Sequence, residues 1–141
     1  MMFSWLITKF IKAKYSHAFI CIPIHEIDAH VVFEANRHGV NAISLEKWTE
    51  KNQIIDFMEV DDREAINRAH SFAIEHLHVR YSMVAILAIA FNIRFRDGKR
   101  SMICSEFVAR AIGAEVKDID TLDPKELLDH LKGTDYARKF N

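Results

Sequence analysis

The sequence predicts an α+β fold, an antiparallel sheet packed by helices. Three observations lead there. Residues 15–60 hold short stretches rich in aromatic and β-branched side chains. Helical spacing replaces them from residue 62 onward. No internal repeat, low-complexity tract or linker divides the chain, so strands of the first half and helices of the second share one core. At 141 residues the chain reads as one domain, 1–141.

Each element has its own signal. Phe3, Leu6, Ile7, Phe10 and Ile11 recur at helical spacing and predict a short opening helix. YSHAFICI, 15–22, is a strand stopped by Pro23, and HVVFEA, 30–35, is a second. Asn36 to Gly39 supplies turn chemistry, and a third strand starts at Gly39. Glu46 to Asn52 is a short helix or turn with Trp48 inward, and QIIDFMEV, 53–60, is another strand. Asp61 and Glu64 fit a capping box that opens a helix over 62–78, with Ile66, Ala69, Ala73 and Leu77 on its apolar face. A buried helix is predicted over Ser82 to Phe91. Ser101 is placed to cap a helix running to Ile112 and ended by Gly113. Asp123-Pro124 caps and starts a last helix that Gly133 ends, and the polar tail after it is expected to be loosely held.

Composition excludes several classes of function. Half the residues are hydrophobic and the net charge is −1, so no basic field draws the chain to nucleic acid. The longest apolar run, 83–91, is far short of the roughly 20 residues that cross a bilayer. The apolar N-terminus has its positive charges after the apolar residues and no small-residue cleavage site, which predicts a soluble, cytoplasmic protein. Cys21 and Cys104 are too few for a disulfide scaffold; free thiols in a reducing compartment are the simpler reading. HEIDAH, 25–30, does not have metal-ligand spacing. Its two histidines are five residues apart, some 140° around a helix, whereas the zinc-protease helix needs them four apart. His70, His76 and His78 read as solvated, and RFRDGKR, 94–100, reads as a solvated turn bordering the next helix.

Cys104 carries the functional argument. Behind a cap at Ser101 it falls in the first turn of a helix, where unpaired N–H groups and the helix dipole favour a thiolate. The face it shares with Phe107, Val108 and Ala111 has to pack on the sheet, so a small core residue fits the position as well. Two distant residues distinguish the readings. If strands 15–22 and 30–35 pair as a hairpin with an index sum near 51, His17 stands opposite Glu34 on one sheet face. A helix-start thiol is then available to cover an imidazole and a carboxylate. The carboxylate fixes the tautomer, and the imidazolium holds the sulfur ionised.

SHAFI near the N-terminus, FEANRHGV after it and ICSEFVARAIG in the second half together resemble the signatures of circularly permuted NlpC-like hydrolases. These have the papain-like fold and are related to lecithin:retinol acyltransferase-like enzymes. The matching residues are Ser16-His17, Glu34-Ala35 and Cys104-Ser105-Glu106, in the permuted order of His, polar residue, Cys. Asp123-Pro124 also resembles the family's end, and the likeness covers roughly residues 5–130. The resemblance implies a cysteine amidase or peptidase acting on a peptide-like amide, cell-wall peptide among them, without a cofactor. Cys104 would be the nucleophile, His17 the base and Glu34 the orienting residue. Tyr81 is the residue the resemblance offers to the oxyanion. This chain has Tyr81-Ser82 where members frequently carry Tyr-Asp, so a packing role stands beside that one. Two rivals share the architecture. One is a lipid acyltransferase or thioesterase using the same residues, with 83–91 lining an acyl channel. The other is a binding module without turnover.

Overall fold

The structure is a computed structural model that describes residues 17–24, 27–54, 58–59, 62–82, 101–133 and 138–139. The expected opening helix, the helix over 83–91 and the basic turn at 94–100 lie outside the described residues. The architecture is α+β. Its centre is a three-stranded antiparallel sheet in the order β1 (Phe19–Ile24), β2 (Ala29–Asn36), β3 (Gly39–Ser44).

β1 runs through Pro23, which sequence reasoning takes as a stop. The sheet order leaves β1 at an edge, where a missing N–H is tolerated. The longer strand changes the register. Phe19 pairs with Glu34, and Ile24 with Ala29, two steps from the expected pairing of His17 with Glu34. The parity is the expected one, so no side chain changes face. β2 and β3 are joined through Asn36 and Gly39, with only Arg37 and His38 between them. Asn36 Oδ1 accepts the His38 N–H at 2.9 Å and ties that turn.

Gly39 is required where it stands. Its φ is +99°, and a Cβ there would lie 2.5 Å from the Val79 carbonyl oxygen. That closeness lets the segment 78–79 bond to β3: the Val40 N–H donates to Val79 O at 2.9 Å, and the His78 N–H donates to Val40 O at 2.7 Å. β5 (Arg80–Tyr81) follows and pairs in parallel with β6 (Ser101–Met102).

Among the described residues there are four α-helices. α1 (Leu45–Thr49) starts behind Ser44, whose side chain accepts from the Lys47 N–H, and buries Trp48. α2 (Arg63–Glu75) is capped by Asp62, one residue later than the capping box predicts, because Asp62 accepts from the Glu64 N–H. Its buried face is Ala65, Ala69 and Ala73; Ile66 and Ile74 are exposed. Leu77 lies past the helix end. α3 (Cys104–Ala111) begins behind Ile103, not Ser101. Ser101 is held in the β5–β6 ladder and is not at the cap position. Gly113, at φ +70°, follows its end as expected. A 3₁₀ turn, Ile119–Thr121, precedes α4 (Pro124–Lys132), where Asp123 and Glu126 form the full capping box with Pro124 at the first position. In the expected strand 53–60, Met58–Glu59 form β4, which pairs with β7 (Arg138–Lys139), so part of the tail is tied to the molecule.

α3 is the hub. It packs on β1, β2, α2, α4 and the 3₁₀ turn, and of its eight residues only Arg110 is exposed. Phe107 is fully buried with Phe33, Ala35, Val40 and Leu127 in the main core. Burying side chains of this size stabilises by about 1.5–3 kcal/mol each. α3 therefore covers the Phe33–Ala35 face of β2. Strand alternation turns Glu34 to the other face, beside α1. The expectation that the helix covers the face of Glu34 is corrected on this point.

Candidate active site

Glu34 sits in the central strand and is 8% exposed. A carboxylate there must have partners. Trp48 Nε1–H donates to Oε2 at 2.9 Å, and Asn36 Nδ2–H donates to Oε1 at 2.8 Å. His17 Nε2–H donates to the same Oε2 at 2.7 Å. Burial pushes the Glu34 carboxyl up, but these donors and the His17 charge outweigh it and hold the group below its ordinary value.

His17 stands just ahead of β1. Its ring joins the Glu34 carboxylate to the Cys104 sulfur. Nε2 is committed to Glu34, so Nδ1 is the nitrogen left for Cys104, with which the ring shares a hydrogen bond. Burial opposes a charge on the imidazole. The Cys104 thiolate and the Glu34 carboxylate overcome that cost and push His17 up to about 10.

Cys104 is the first residue of α3 and is 4% exposed. Burial alone would raise its thiol. The His17 charge and hydrogen bond, with backbone N–H groups of Ala18 and Ser105 donating to the sulfur, lower it instead. Charge separation, S⁻ with imidazolium, is the state this geometry favours. As an N1 residue, Cys104 also presents a backbone N–H that has no partner within the helix.

The start of α3 is braced. Ser105, fully buried, donates its hydroxyl to Leu122 O. Glu106 is 5% exposed, accepts from the Ile103 N–H, and pairs with Arg110 Nε at 2.8 Å; Arg110 reaches on to Asp120 at 2.7 Å. Burial raises the Glu106 carboxyl despite Arg110.

Three of the sequence-predicted site residues, His17, Glu34 and Cys104, are thus brought together. Tyr81 is placed by its backbone: β5 pairs it with Met102, two residues ahead of Cys104. Trp48 and Asn36 were missed as site residues. Their only signal was an inward Trp after β3 and an Asn on the parity of Glu34, and neither means anything until the register is known. His76 is half-buried, its Nδ1–H donating to Phe72 O at 2.7 Å, and His70 sets its ring edge on Phe33, so these two are packed and not simply solvated. Among the described residues no cluster of three or more His, Cys, Asp or Glu is arranged to hold a metal ion, and no helix is long and apolar enough to cross a membrane.

No curated protein and no solved structure matches the chain. The family model of the permuted papain-like amidase enzymes (YaeF/YiiX, C92 family) matches residues 3–134, nearly the whole length, and the protein therefore belongs to this family of papain-like cysteine amidases.

Proposed function

We propose that Cys104, His17 and Glu34 form the triad of this amidase and that its substrate is a peptide-like amide, with cross-linking peptides of the bacterial cell wall as the favoured class. The observation that supports the triad is the continuous hydrogen-bonded row from the Cys104 sulfur through His17 to Glu34.

The chemistry follows from that row. The Cys104 thiolate attacks the amide carbonyl, and a C–S bond forms as the carbonyl electrons move to oxygen. The Cys104 N–H stabilises that oxyanion, with Tyr81 as the proposed second donor. When the tetrahedral centre collapses, the C–N bond breaks and His17 gives its Nδ1 proton to the departing amine. Neutral His17 then takes a proton from water. The resulting hydroxide attacks the thioester, the C–S bond breaks, and an acid, a thiolate and an imidazolium are left. Glu34 accepts from Nε2 throughout, keeping Nδ1 toward the sulfur and stabilising the imidazolium.

The test is labelling by a thiol-reactive probe at neutral pH, resolved by peptide, in wild type, Cys104→Ala and His17→Ala, beside hydrolysis of muropeptides and of lipid esters. Rapid labelling of Cys104 that depends on His17, with muropeptide turnover abolished by Cys104→Ala, is the expected result. Turnover of lipid esters alone would overturn the substrate. An inert Cys104 in a natively folded wild type would overturn the triad.

A further inference from the structure

The register raises a question about the third residue of the triad. Continuing the β1–β2 ladder two residues beyond Phe19 sets His17 level with Asn36, not with Glu34. An asparagine carbonyl could accept from the imidazole there. The bonds made are different: Asn36 Oδ1 accepts the His38 N–H in the hairpin turn, and its amide donor is on Glu34 Oε1. Glu34 is therefore drawn along the strand toward His17, the diagonal position and not the one directly across.

A second anchor comes from α1. The Trp48 ring packs on Phe19, centroids 4.4 Å apart, and Phe19 is the residue directly opposite Glu34. Packed there, the indole N–H meets Glu34 Oε2, the oxygen that His17 uses. Each carboxylate oxygen is thus tied to a neutral donor from a different element. Among the described residues no other charged group faces Glu34 across the sheet: its ladder partners are Phe19 on β1 and Asn41 on β3, α1 offers neutral Trp48, and α3 offers Cys104 only through His17.

We infer that Asn36 and Trp48 are positioning residues that keep Glu34 ionised and aimed diagonally at His17, with Asn36 coupling the β2–β3 turn to the active site. The inference rests on the triad reading. Trp48→Phe keeps the aromatic packing on Phe19 and removes only the donor. Asn36→Ala removes the other. Losing a hydrogen bond to the charged form lets burial raise the carboxyl.

The test follows Glu34 by carbon NMR of carboxyl-labelled glutamate, assigned with Glu34→Gln, together with the pH profile of amide hydrolysis. Each of Trp48→Phe and Asn36→Ala is expected to move the Glu34 midpoint up by about one pH unit. The acid limb of kcat/KM should move with it, and kcat should fall about tenfold at neutral pH while KM holds. A residue that only packs would lower activity evenly across pH and leave the Glu34 midpoint in place. An unmoved midpoint in both variants overturns the inference while leaving the triad standing, provided Glu34→Gln itself costs activity. If Glu34→Gln turns over like wild type, the triad reading falls and this inference with it.

Discussion

His17 Nε2 lies 2.7 Å from Glu34 Oε2, and this contact decides which nitrogen faces the sulfur. The imidazole is thereby fixed as a proton donor to Glu34, and its charge is stabilised from both ends. The consequences are measurable.

The first concerns alkylation of Cys104. With His17 in place the thiol is lowered, so iodoacetamide should react at neutral pH. In His17→Ala the burial that opposes the thiolate has less to offset it, and the reaction should appear only toward or above the ordinary value of 9.0. Cys21, a free and exposed thiol, gives an internal reference whose profile should not change. Peptide-resolved mass spectrometry separates the two. The same labelling pH for Cys104 in both proteins would remove His17 from the mechanism.

A second prediction concerns stability against pH. His17 is raised from 6.5 to about 10, so its contribution is full below 6.5 and is lost as pH rises toward 10. Cys104 is lowered from 9.0, so its contribution is present above 9.0 and is lost as pH falls. Between 6.5 and 9.0 the two slopes oppose, because the folded pair holds its one proton on His17 while the unfolded chain holds one on the thiol. The wild-type excess in unfolding free energy over the double variant His17→Ala/Cys104→Ser, which removes both groups, should therefore be nearly flat within that interval and decline on both sides. Glu34, lowered from 4.5, adds a further loss of wild-type stability as pH falls below that value. A steady slope through neutrality in urea titrations would contradict the ion pair.

Gly39 and Gly113 make a paired test. Both have positive φ, +99° and +70°. Alanine at 113 meets nothing within 4 Å and should cost only the left-handed penalty, about 1 kcal/mol. Alanine at 39 meets the Val79 carbonyl as well and should cost about 2–4 kcal/mol. Equal costs in urea unfolding would mean that the β3 contact with 78–79 yields easily.

Arg110→Ala should destabilise by about 1–3 kcal/mol, since it leaves the buried Glu106 carboxylate without its cation. Arg110 is itself 39% exposed, which keeps the figure modest. Glu106 is already raised and would be raised further, so its protonation should recover part of the loss as pH falls. A loss independent of pH would show that Arg110 matters through packing alone.

The three residues proposed for the triad were readable as candidates together: a cysteine at a helix start, and a histidine and a glutamate on one strand parity. The fold class was readable because 19–44 and 63–132 have different periods. The exact pairing was not. A proline read as a strand stop lies inside an edge strand, and whether a strand is an edge is known only from the sheet. Ser101 looked like a cap for the same reason, its ladder with Arg80 being a contact between segments about twenty residues apart. The hydrogen bonds of Trp48 and Asn36 to Glu34 depend on that corrected pairing, which is why local pattern held no trace of them.

The sulfur is mounted on a helix that is buried along almost its whole length. α3 touches the sheet, two helices and the 3₁₀ turn, and shows solvent only Arg110. Its amides should be among the last to exchange with deuterated water. Attempts to retune reactivity by altering α3 will reach the folding equilibrium first, and the hairpin turn and α1 offer the gentler handles.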